Sequence, residues 1–202
     1  MCIITKKEIE KRLKSIDIKN RLVVTPIISK KQIANTSIDV RLGNQFVIFK
    51  THTLGDFNPY KTQSAKLRKM QERKIVRFGD EFVLHPGMLV LGSTFEYLRI
   101  PYDLECHVEG RSSWARIGLQ IATATSVEPG FKGVLTLELS NLGTIPIELC
   151  PGVRIAQLLF NKLTTPISEP YGKERKYKCP IGPEFSKIHE DKDGAVFAQE
   201  YE

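Results

Sequence analysis

GRSSWARIGLQIATATSVEPGFKGVLTLELSNLGTIPIELCPGVRIAQLLF, residues 110–160, is the densest stretch of this 202-residue chain. Within it Val134, Thr136, Glu138 and Ser140 fall on one face of a strand, and Leu135, Leu137 and Leu139 on the other. Glu138 therefore sits mid-strand, opposite an unbroken leucine row. Two Pro-Gly turns, Pro129-Gly130 and Pro151-Gly152, lead into apolar runs, and a third at Pro86-Gly87 does the same upstream. Short apolar runs punctuated by such turns about every ten residues indicate an all-β barrel or sandwich.

Outward from this stretch, Thr5-Lys6-Lys7-Glu8 reads as a capping box, and Ile9, Leu13 and Ile16 extend a short amphipathic helix to Ser15–Lys19. Leu22 to Ile28, with Pro26, reads as an edge strand or extended segment. Ser37 to Lys50 alternates, breaks at Gly43-Asn44 and resumes, which predicts a hairpin or a bulged strand pair. Lys61 to Arg77 is a basic run without interleaved aromatics, the pattern of an exposed basic loop or helix. After Phe160 the chain turns polar, so residues 165–202 read as a mobile C-terminal arm or lid on a single domain spanning 1–202.

Composition narrows the function. A hydrophobic share of 41% and a charged share of 26% describe an ordinary globular domain, and a net charge of +7 favours an anionic partner, with nucleic acid, a nucleotide phosphate tail and a merely well-solvated surface as its readings. No apolar run is long enough to span a membrane and MCIITKKEIE lacks a secretory core, so a cytoplasmic protein is expected. Cys2, Cys106, Cys150 and Cys179 show no CxxC spacing, and His52, His85, His107 and His189 form no HxE or HExxH pair. Zinc chemistry of the deaminase kind needs HxE with PCxxC, so a zinc-free reaction is expected.

Glu138 has two readings: an exposed carboxylate on a solvated face, or a general acid/base whose proton affinity is raised by burial. Arg111-Ser112-Ser113-Trp114-Ala115-Arg116 resembles a turn opening a short helix with a serine as N-cap, which would bring Ser112 and Arg116 to one face. That turn is either a capped surface feature or an anion grip. Phe131, between two glycine-bearing turns, plugs the core or stacks on a ligand. Gln157, the one uncharged polar side chain in VRIAQLLF, is a structural bridge or a phosphate contact.

Taken together, GRSS, AR, GL, TA, PGF, TLELSN, PI, PG and RIAQL in this order resemble the dCTP deaminase family of the dUTPase-like superfamily. SIDVRLGNQF, LHPGMLVLGSTFE and the tail from Tyr171 to Lys187 extend the likeness over nearly the whole chain. The resemblance implies a mainly β, distorted and jelly-roll-like barrel with few short helices, assembled as a homotrimer with sites between subunits. It implies hydrolysis of dCTP to dUTP and ammonia without zinc, the triphosphate carrying Mg²⁺, and neither nucleic acid nor membrane as partner. By position Glu138 would be the proton shuttle, and Ser112 and Arg116 would orient the water. Arg111, Ser113 and Gln157 would meet the triphosphate, while Ala124 and Thr125 would read the base edge. Glu128 would meet the sugar hydroxyl and Phe131 the deoxyribose, with Tyr171, Lys176 and Tyr177 closing over the nucleotide.

The chain departs from the family in three places. The segment before Thr123 lacks a histidine and is one residue shorter, Glu128 replaces an aspartate, and Cys179-Pro180 stands where a glutamine serves the phosphates. A modified deoxycytidine nucleotide as substrate and the fate of dTTP feedback stay open. A dUTP pyrophosphatase or a bifunctional enzyme giving dUMP is the neighbouring enzymatic reading, and a non-catalytic deoxynucleotide-binding trimer is the reading from another class.

Overall fold

The alternation of TLELSN is realised as the strand Thr136–Asn141. Leu137 and Leu139 are fully buried, and Thr136, Glu138 and Ser140 are half-buried on the other face. The computed structural model describes residues 2–50, 58, 64–122, 126–168, 171 and 176–190. Thr136–Asn141 lies in a five-stranded antiparallel sheet ordered Leu119–Ile121, Thr136–Asn141, Leu89–Ser93, Gln45–Phe49, Gln71–Ile75. In a second five-stranded sheet Arg154–Lys162 is central, flanked by Leu104–Gly110 on one side and by Cys2–Ile3 and Ser37–Arg41 on the other. Ser126–Val127 extends that sheet beyond Leu104–Gly110. A three-stranded sheet of Lys132–Gly133, Tyr97–Arg99 and Val23–Thr25, and the pair Ile147–Leu149 with Phe82–Leu84, complete the β structure among the described residues.

Apolar side chains from all four sheets merge into one core, in which Phe46 stacks on Phe82 with centroids 4.7 Å apart. The chain is thus mainly β, with short helices at Lys6–Leu13, Ser64–Lys69 and Ser112–Ala115. Among the described residues the sheets do not close into the expected barrel. Part of the reason lies in Ser37–Lys50. Its halves do not pair as a hairpin: Ser37–Arg41 joins Arg154–Lys162, and Gln45–Phe49 joins the other large sheet. Neither Gly43 nor Asn44 takes the positive φ that a two-residue hairpin turn demands, so the break is a crossing between sheets.

The three Pro-Gly signals behave as read. Gly87, Gly130 and Gly152 have φ of 76°, 83° and 91°, the region that the third position of a type II turn requires. The basic run resolves into the Ser64–Lys69 helix and the Gln71–Ile75 edge strand, whose Arg73 and Lys74 lie over the rings of Phe185 and Phe82. Val23–Thr25 is an edge strand, as Pro26 suggested.

The N-terminal helix corrects two details. It ends at Leu13, leaving Ile16 95% exposed, and Thr5 makes no side-chain capping bond. Glu8 turns instead to Arg12, whose Nε lies 2.8 Å from Glu8 Oε1. Arg12 then donates to both carboxylate oxygens of Asp103, at 3.1 and 2.6 Å. That buried fork ties the helix to the turn after Ile100. Asp103→Ala would strand the guanidinium and is expected to destabilise the fold by about 3 kcal/mol, measurable in urea unfolding.

Candidate active site

A cavity of about 480 Å³ opens on the polar face of Thr136–Asn141. Its lining comes mainly from three parts of the chain, with Val108 and Ser126 added from the sheet of Leu104–Gly110. The large sheet supplies Phe49, Leu91, Thr136 and Glu138. The turn before that strand supplies Val127, Glu128, Phe131, Val134 and Leu135. The C-terminal segment supplies Tyr171, Tyr177, Pro180, Glu184 and Ser186.

Glu138 is not the solvated carboxylate of the first reading. Strand pairing sets it opposite Leu91, and its Oε2 is buried without a hydrogen-bond partner. Burial raises its pKa above the ordinary carboxylate range, and a hydrogen bond from its own backbone only partly offsets this. A carboxyl group so placed holds a proton more readily than a solvated one and can exchange it with whatever enters. Phe131 is 6% exposed in the core, as its first reading has it, and also lines the cavity, where it meets Tyr171 edge-on at 5.6 Å.

The segment over the cavity is fastened by main-chain contacts. Val134 N–H donates to Pro180 C=O at 2.8 Å, and Glu184 N–H donates to Thr136 Oγ1 at 3.3 Å. Gly133, with φ of 133°, allows the first contact: a Cβ there would stand 2.5 Å from Pro180 Cδ. The tail thus needs a residue without a side chain beneath it. Lys187 N–H donates to Tyr177 Oη at 3.2 Å, and Lys187 Nζ donates to the Lys176 carbonyl at 2.6 Å. Tyr171 and Tyr177 therefore reach the cavity, while Lys176 contributes backbone and does not line it. Ala124 and Thr125 lie outside the described residues. The segment leading to them runs beside Glu138, since Ala122 N–H donates to the Glu138 carbonyl at 2.9 Å.

The remaining sequence candidates are elsewhere. Arg111, Ser112, Ser113, Arg116 and Gln157 do not line this cavity. The helix Ser112–Ala115 is capped by Arg111, not by a serine, and without a side-chain capping bond. Arg116 N–H donates to Ser112 C=O at 3.1 Å, so one turn does stack the two residues. The helix passes into Gly118, which abuts Gly143 beyond the far end of the Glu138 strand. From Glu138 to Asn141 alone is about 10 Å of strand.

This second group has its own order. Arg111 Nη1 and Trp114 Nε1 both donate to the Arg154 carbonyl, at 3.2 and 2.9 Å. Asp39 Oδ2 lies 2.9 Å from Arg154 Nη1 and 3.8 Å from Arg111 Nε. Gln157 pairs between Asp39 and Glu109 and accepts from Ser37 Oγ at 3.5 Å. Two guanidinium groups against one carboxylate leave an excess positive charge suited to an anion. Sequence reading missed Asp39 and Arg154, although both sit inside the SIDVRLG and RIAQL blocks. It also missed Glu184, which lies in a tail without periodicity to mark it.

Among the described residues no three His, Cys, Asp or Glu side chains gather in a metal-holding group, and no helix is long and apolar enough to cross a membrane. Cys106 is fully buried, which pushes its thiol pKa up, while Cys2 and Cys179 are exposed.

Residues 3–163 match the dCTP deaminase-like family profile. A Methanosphaera stadtmanae protein named dCTP deaminase, dUMP-forming is 40% identical over 197 residues, covering 96% of this chain and 97% of its own. A Haloarcula marismortui protein named dCTP deaminase is 43% identical over 195 residues, covering 95% of this chain and 97% of its own. The crystal structure of 2′-deoxycytidine 5′-triphosphate deaminase from Agrobacterium tumefaciens superposes with a TM-score of 0.59 at 23% identity, over 79% of this chain and 48% of that one, a likeness of fold. By profile and by relatives matched almost end to end, this chain belongs to the dCTP deaminase-like family.

Proposed function

We propose that the chain is a cytoplasmic enzyme that deaminates dCTP hydrolytically to dUTP and ammonia, in sites shared between the subunits of a homotrimer. The observation that carries this reading is Glu138, a carboxylate with a buried unpartnered oxygen and a raised proton affinity in the wall of a cavity. Water attacks C4 of cytosine while Glu138 takes its proton and passes it to the ring nitrogen. A second proton delivered to the amino group lets ammonia leave as the C4 carbonyl forms. One group that repeatedly gives and takes protons is what this sequence of steps needs.

Ser112 and Arg116 would orient the water, and Arg111, Ser113 and Gln157 would hold the triphosphate. In a single chain these groups stand apart from Glu138, so a neighbouring subunit supplies them in this reading. Glu128 and Phe131 would flank the sugar, and Tyr171 and Tyr177 would cover the nucleotide. Magnesium belongs here to the substrate, as the counter-ion of the triphosphate.

A second reading follows from the relative named dUMP-forming: dUTP loses pyrophosphate in the same cavity and dUMP is released. Incubation with dCTP or dUTP and Mg²⁺, with chromatography of dUTP, dUMP, ammonia and pyrophosphate, separates the two. Ammonia and dUTP mark the deaminase, and dUMP with pyrophosphate marks the longer sequence. Binding without turnover of either nucleotide would leave only a regulator.

Glu138→Gln is expected to lower turnover at least 100-fold, in keeping with the loss of a general acid/base. Ser112→Ala should be similarly impaired. Mixed and reassembled, the two variants should regain activity through interfaces that unite an intact Ser112 with an intact Glu138. A mixture no more active than its components would refute the shared site.

The raised proton affinity also enters stability. The folded value lies above the unfolded one, so the contribution is intact below the ordinary value of ~4.3 and is lost as pH rises through the folded value. Glu138→Gln should therefore melt on the order of 2 °C above the parent at pH 8, with no difference near pH 4.

A further inference from the structure

We propose that Glu184 is a specificity-determining residue of this cavity, accepting a hydrogen bond from the amino group of a cytosine nucleotide and so favouring substrate over its oxo-bearing product. The inference rests on the deaminase reading and extends it to a residue of the tail.

Position is the first argument. Glu184 N–H is bonded to Thr136 Oγ1, and Thr136 stands two residues from Glu138 on the same strand face, about 7 Å along it. Glu138 and Glu184 line the same cavity. The backbone around Glu184 is fastened on both sides. Pro180 C=O accepts from Val134, Phe185 lies 5.3 Å beneath the Arg73 guanidinium, and Lys187 N–H reaches Tyr177.

Its side chain is half satisfied. Oε1 lies 3.3 Å from Lys187 Nζ, which matches the charge, whereas Oε2 is buried with no partner. A buried acceptor in this state favours any ligand that brings a donor to it. Glu138 cannot fill that role throughout a turnover, because it changes protonation as the reaction proceeds.

Chemistry then sets the preference. A carboxylate only accepts, and cytosine presents N–H donors at C4, whereas the deaminated base presents a carbonyl oxygen there. Opposite Glu184 the reaction turns an attractive contact into a repulsive one. Sites built to bond a substrate N–H reject analogues lacking it, and the same logic here hastens product departure.

The test measures binding of dCTP and dUTP, each with Mg²⁺, by calorimetry on the full chain carrying Glu138→Gln to suppress turnover. With Glu184 intact, dCTP should bind about tenfold more tightly than dUTP. Adding Glu184→Leu should erase that ratio by weakening dCTP alone. Adding Glu184→Gln, an isostere whose amide also donates, should narrow it by strengthening dUTP, and this variant covers the case in which the leucine disturbs the tail. Equal weakening of both nucleotides by both variants would make Glu184 a structural residue, and an unchanged ratio would remove it from recognition; either overturns the proposal. If the chain with Glu184 intact binds neither nucleotide, the deaminase reading itself has failed, and the proposal falls with it.

Discussion

Strand register is the constraint on which this structure turns. Thr136–Asn141 buries Leu137 and Leu139 and presents Glu138 to the cavity, and a slip of one residue would exchange the two faces. The register is secured at the strand's end. Asn141, fully buried, donates to the carbonyls of Leu84 and Ile145 at 2.9 and 2.8 Å and accepts from Gly143 N–H at 2.9 Å. An amide with its bonds met so completely tolerates no shift, because any displacement would leave buried polar groups unpaired. The chemistry of the opposite face therefore depends on an asparagine that never touches it.

From that strand the functional groups spread in two directions. Glu138, Glu128 and Phe131 meet the tail at the cavity, while the arginine-bearing helix and Gln157 are organised around Asp39 on the other large sheet. Such a division is what a symmetric assembly can exploit, since a rotation axis brings the second surface of one copy to the first surface of the next. The short helix Ser112–Ala115 leaves Ser112 and Ser113 exposed, so in the proposed trimer that face would be free to meet a neighbour.

Local periodicity carried much of this architecture in the sequence. The two-residue alternation around Glu138 and the Pro-Gly turns were legible because they express backbone geometry, which needs no knowledge of distant partners. Partner choice was not legible. Ser37–Lys50 contains two good strands, yet nothing in its pattern says that they join different sheets, and the expected hairpin was the local solution to a global pairing. Thr5 shows the same limit at a smaller scale: a capping box was available, but Arg12 and Asp103 drew Glu8 away from it. In the site, Glu138 and Phe131 were readable from the strand and turns that hold them. Glu184 was not, because its importance comes from where an aperiodic tail crosses Thr136. The grouping of Arg111 with Asp39 and Arg154 likewise arises only when Ser37–Arg41, Leu104–Gly110 and Arg154–Lys162 lie side by side.

The contact between Gly133 and Pro180 has a consequence for how the molecule comes into being. Among the described residues every strand of the sheets is complete by Lys162, so the tail is the last described part to leave the ribosome. A nascent chain at that stage has the residues of the Glu138 strand but lacks Tyr171, Tyr177, Pro180, Glu184 and Ser186, which line the cavity beside it. Completion of the cavity around Glu138 is thus a docking event, in which Pro180 settles against a bare glycine backbone.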